Sequence, residues 1–133
     1  VAVPQSIFIG VIAAIISNLA IYYKSKSTTL DDTLDVFPCH GLGGIVGMLM
    51  TGIFATKSVN SAGADGLFYG NASFFFIQVK ALFIVVVYSF TVSLLIFRFI
   101  NFILPMRVSM EEEALGLDAT QHDEKYGRTP QHA

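Results

Sequence analysis

The chain has 133 residues, a formal net charge of −2, 53% hydrophobic residues and only 14% charged ones, where a soluble domain carries about 25% charged residues. With no basic surplus, the composition argues against a nucleic-acid binder and gives no sign of an acidic partner. Mean hydropathy is +0.63, and the apolar residues cluster in long runs, which points to an all-α membrane protein in a lipid bilayer.

In chain order, the first predicted element covers about residues 4–23 and contains no charged residue. At 1.5 Å per residue, about twenty residues reach roughly 30 Å, the thickness of the hydrocarbon core. Pro4 suits a first helical turn, and Tyr22, Tyr23, Lys24 and Lys26 form an aromatic anchor with a basic flank. The run has no basic leader and no small-residue cleavage site, so it reads as a span rather than a signal peptide. It reads as the middle of something larger, and the chain is expected to be the C-terminal piece of a polytopic protein.

A short polar connection follows, with cap chemistry at Ser27, Thr28, Thr29, Asp31 and Asp32. The second expected span covers about 35–56, with Pro38 in its first turn. Its glycines, Gly41, Gly43, Gly44, Gly47 and Gly52, permit close helix approach, and Gly43 with Gly47 makes a small-xxx-small pair. Residues 57–73 read as a loop. The third expected span, about 74–104, exceeds one bilayer thickness and should tilt or project. Three spans occupy residues 1–105, and 106–133 form a polar tail with short ordered pieces. Lys24, Lys26, Arg98 and Arg107 on one side outnumber Lys57 and Lys80 on the other, so the first loop and the C-terminus are expected to be cytoplasmic.

His40 is the central anomaly. An ionisable side chain at membrane depth is expensive, and it faces a bundle interior or a conduction path. The neighbouring glycines let a helix or a substrate approach the ring, and imidazole changes protonation near neutral pH. A histidine that only hydrogen-bonds an adjacent helix fits equally well. Asp35, five residues earlier, lies about 140° around an ideal helix, which favours helix capping at the cytoplasmic entrance over pairing with His40. The single cysteine, Cys39, reads as a packing residue. With no metal cluster, phosphate-binding glycine loop or nucleophile–base pair, neither an enzyme nor a cofactor is expected.

Residues 31–55, Asp-Asp-Thr-Leu-Asp-Val-Phe-Pro-Cys-His-Gly-Leu-Gly-Gly-Ile-Val-Gly-Met-Leu-Met-Thr-Gly-Ile-Phe-Ala, resemble the tenth transmembrane helix of the ammonium transporter (Amt/Mep/Rh) family. Gly116-Leu117-Asp118, with His122 and Glu124, resembles the family's cytoplasmic tail motif; Asp123 stands where glycine is usual. The resemblance implies an eleven-helix fold, of which this chain supplies helices nine to eleven and the tail, and a homotrimer with a narrow hydrophobic pore in each subunit. His40 then matches the second of two pore histidines that relay a proton during ammonium/ammonia transport, and Gly41, Gly43, Gly44 and Gly47 pack the pore helix. Asp31 and Asp35 lie at the cytoplasmic entrance. Gly116, Asp118, His122 and Glu124 form a regulatory tail that meets a PII-type signal protein, and a phosphate on Thr120 would disturb that docking. The implied location is the plasma membrane (the inner membrane in a bacterium). An ammonium sensor or an Rh-like gas channel of the same fold is the alternative.

Overall fold

A computed structural model describes residues 1–26 and 32–124. The cap chemistry expected of Ser27, Thr28, Thr29 and Asp31 therefore lies outside the described residues. Among the described residues every regular element is helical. Three helices are long and apolar enough to cross a membrane: Val3–Ser25, Phe37–Phe54 and Ala72–Ile103. The second begins two residues later than the sequence suggests and stops at Phe54, because Ala55 turns out of the helix with ψ 143°.

The chain divides into two compact units, Val1–Tyr88 and the remainder from Ser89 onward. In the first unit, α1 (Val3–Ser25) starts with Pro4 in its first turn, where a missing N–H costs nothing. It packs against a π-helical turn, Phe37–Leu42, and against α2, Gly43–Phe54, which continues from that turn. The helices come close where side chains are small, and a Cβ added to Gly43 would stand 3.9 Å from Ser17 Oγ.

At the end of α2 the chain folds back on itself. The Gly66 amide donates to the Ala55 carbonyl at 2.8 Å, and the Lys57 amide to Asp65 Oδ1 at 2.8 Å. Gly52, Ala55, Thr56 and Gly66 are buried here. A 3₁₀ turn, Leu67–Tyr69, ends at Gly70 with φ 86°, a left-handed conformation that favours glycine. Asn71 Oδ1 then accepts from the Phe74 amide at 3.1 Å and caps the start of α3, Ala72–Ile103. Rings close this end: Phe8 meets Phe54 edge-on at 6.0 Å, Phe54 meets Phe68 at 5.6 Å, and Gln5 Nε2 donates to the Tyr69 hydroxyl.

The second unit holds the last part of α3 and two short helices, α4 (Met110–Leu115) and α5 (Leu117–Gln121). Asn101 Oδ1 accepts from the Met106 amide at 3.0 Å, spanning Pro105. Ser109 and Glu112 form a reciprocal capping box at the start of α4. Arg107 pairs with Glu113 at 3.1 Å. With the two side chains 73% and 45% exposed, such a pair contributes at most about 1 kcal/mol.

Candidate functional site

The segment that carries His40 is wound as a π-helix, a rare form found at functional positions. Its entry is held by polar groups. The Asp32 carboxylate accepts from the Val36 amide at 2.9 Å and from the Phe37 amide at 3.1 Å. The Asp35 carbonyl accepts from the Cys39 amide at 3.0 Å, with Asp35 itself at φ 54°. Pro38 is buried in the first turn, where its missing N–H costs no ladder bond. The Phe37 ring covers Gly41, where a Cβ would lie 2.8 Å from Phe37 Cδ2. Glycine at 41 thus accommodates a ring from its own turn.

Capping was expected of Asp35, but its side chain has a different partner. Lys24, in the last turn of α1, donates to the Asp32 carbonyl and pairs with the Asp35 carboxylate; its ammonium is also 3.9 Å from Asp32 Oδ2. The short side chain of Asp32 reaches the amides at 36 and 37, so it takes the cap. The Val36 amide bond is the main influence that holds the Asp32 carboxyl below its ordinary value of 3.8; Phe37 and Lys24 add to it, and partial desolvation opposes them.

His40 is exposed, as is Cys39. Among the described residues no other element covers the imidazole. Asp35, engaged by Lys24, is not its partner. Among the described residues no three of His, Cys, Asp and Glu come together as a metal site would require. Of the glycines expected to pack the helix, Gly43 meets Ser17 at ordinary contact distance, while a Cβ on Gly44 or Gly47 would meet nothing within 4 Å. The close approaches are elsewhere. A Cβ on Gly52 would lie 3.1 Å from Phe75 Cδ2 and 3.2 Å from Gln78 Cβ, and one on Gly66 would lie 2.5 Å from the Ile53 carbonyl oxygen.

The tail residues gather in one hairpin of the second unit. Gly116, at φ 96°, ends α4 and opens α5. Its carbonyl accepts from the Thr120 amide at 3.1 Å and from Thr120 Oγ1 at 3.0 Å. The Asp118 carbonyl accepts from the His122 amide at 3.2 Å and the Glu124 amide at 2.9 Å. Asp123, at φ 53°, takes the left-handed conformation in which glycine is the easiest residue. Asp is among the few other residues that tolerate it, so the turn forms without the usual glycine. The Ser109 amide, and then its hydroxyl, hold the Glu112 carboxyl below its ordinary value.

Sequence reasoning passed over three of these residues. Lys24 read as an interfacial flank and Gly66 as a turn residue, while Gly52 was one glycine among five. Opposite charges at both ends of the connection, Lys24 against Asp32 and Asp35, were the available signal for the first.

The sequence matches the Ammonium Transporter Family over residues 1–126. An ammonium transporter of Bacillus subtilis is 47% identical over 120 residues, which are 90% of this chain and 30% of that protein. An ammonium transporter of Aquifex aeolicus is 39% identical, covering 90% of this chain and 28% of its own length. The ammonium transporter Amt1 of Archaeoglobus fulgidus is 36% identical over 93% of this chain and 31% of that protein. The chain thus spans about 30% of the length of these curated relatives.

Proposed function

The chain belongs to the ammonium transporter family, and from that premise we propose that it is the C-terminal portion, helices nine to eleven and the cytoplasmic tail, of a subunit that carries ammonium or ammonia across the plasma membrane. The observation that carries the reading is His40. It stands exposed in an apolar helix, uncovered by the other described residues, with Gly44 and Gly47 opening on the same helix. A lipid-facing imidazole is costly, so a position that lines a lumen suits it better.

In this reading His40 faces a second histidine from the other half of the pore. Two imidazoles at close range cannot both be charged cheaply, so the pair holds a single proton and passes it as ammonium is deprotonated. The subunits form trimers. The hairpin of Gly116, Asp118, His122 and Glu124 lies at the cytoplasmic face, where a PII-type signal protein docks.

The test is methylammonium uptake by the full-length protein with His40→Ala. A large loss of uptake is expected, with the protein still in the membrane. Uptake at the wild-type rate refutes the conduction role of His40.

A further inference from the structure

We infer that Lys24 is a positioning residue for His40: joined to Asp32 and Asp35, it fixes the π turn and so the rotation of the imidazole about the helix axis. The inference rests on the reading of His40 as a pore residue, and it assigns Lys24 a role beyond that of a basic flank.

Lys24 and Lys26 are two residues apart, and their environments differ. Lys26 lies over the Tyr22 ring, 4.1 Å from its centroid, and donates to the Tyr22 hydroxyl at 2.6 Å; it is exposed, as an interfacial lysine should be. The Lys24 side chain is only 15% exposed and turns toward the start of the next helix. There its ammonium meets the two residues that begin the π turn. The Asp32 carboxylate holds the amides of Val36 and Phe37, and the Asp35 carbonyl holds that of Cys39. Each backbone bond at the entry of the turn therefore belongs to a residue that Lys24 grips.

A π turn is less common than α winding, and it lasts where its surroundings determine it. Pro38, buried in the turn that packs on α1, and the Phe37 ring over Gly41 shape the interior of the turn, but neither carries a charge that could tie the two aspartates at its entry to another element. Lys24 does, because it sits on α1. Without it, Asp32 and Asp35 are free to move together, residues 37–42 can rewind, and His40 swings around the axis relative to α2.

The test uses the full-length transporter in cells that lack ammonium uptake. Initial methylammonium uptake is measured against concentration, with the amount of protein in the membrane measured alongside. Lys24→Met is expected to lower the maximal rate about tenfold and to change KM less than twofold. Lys24→Asp alone should be at least as impaired, and Lys24→Asp with Asp35→Lys should restore half of the wild-type rate or more. Should Lys24→Met fail to reach the membrane, Lys24→Gln with Asp35→Asn, which leaves no lone charge, replaces it with the same expectation. A maximal rate within twofold of wild type, or a swapped pair no better than Lys24→Asp, overturns the inference while a defective His40→Ala keeps the pore reading. Wild-type uptake by His40→Ala removes the pore reading and this one with it.

Discussion

The fold-back after α2 and the π turn before it are built on different principles. Around Gly52 and Gly66, backbone lies against backbone and side chain: a Cβ at 66 would meet two main-chain carbonyl oxygens, those of Ile53 at 2.5 Å and Gly52 at 2.6 Å. At Gly41, beside His40, the close approach is a ring from the same turn, a Cβ at Gly44 or Gly47 would meet nothing within 4 Å, and Lys24, Asp32 and Asp35 tie the entry of the turn. The first region buries Gly52, Ala55, Thr56 and Gly66 against its own backbone and side chains. The second is exposed at Cys39, His40 and Gly44. Glycine content alone does not distinguish them, since both regions are glycine-rich.

Substitutions at the glycines probe the contrast most directly. Gly66→Ala should have the largest effect, because main-chain oxygens cannot swing aside; a loss of about 3 kcal/mol or more is expected, read as a lower melting temperature in detergent. Gly52→Ala meets side chains, Phe75 and Gln78, which can give by a few tenths of an ångström, so about 1–2 kcal/mol is expected in the same melt. Gly47→Ala should leave the melt unchanged or raise it by up to about 1 kcal/mol, since alanine favours a helix. A melt lowered as far as that of Gly66→Ala would erase the distinction between the two regions. Asp123→Gly relieves a left-handed residue in the tail hairpin and should slow hydrogen exchange at the Glu124 amide, by up to about 1 kcal/mol in opening free energy.

The smallest effect concerns pH. The Asp32 carboxyl is lowered in the folded state, so its contribution is fully present above the ordinary value near 3.8 and fades as pH falls through the lowered one. Exchange at the Val36 and Phe37 amides should therefore quicken only below about pH 4. In Asp32→Asn this acid-dependent step should disappear.

Much of the fold was legible because membrane spans declare themselves by length and apolarity, as the runs at 4–23 and 74–104 do. The winding of residues 37–42 was not. Pro38 and Gly41 are compatible with an α-helical first turn, and neither the Phe37 ring against Gly41 nor the amide bonds that the Asp32 carboxylate accepts can be read from the sequence. Three aspartates within five residues likewise left open which one caps; that depended on which carboxylate Lys24 engaged. The small-xxx-small spacing of Gly43 and Gly47 predicted a close contact, but such a pattern needs a partner helix, and in this chain only Gly43 has one. The tail motif was legible residue by residue, whereas the left-handed Asp123 required the backbone.

The aromatic contacts from Phe8 through Phe54 to Phe68, with Gln5 held to Tyr69, also have a mechanical consequence. They pin one end of the α1–α2 pair, so relative motion of the two helices is amplified at the opposite end, where Lys24 holds the π turn. The fourteen residues from Phe54 back to His40 make an arm of roughly 20 Å, along which a tilt of about 3° becomes a displacement of about 1 Å. In the proposed reading of His40 as a proton-passing pore residue, shifts of that size matter, and a substitution at Phe54 would act on His40 as a lever does, from the far end of its own helix.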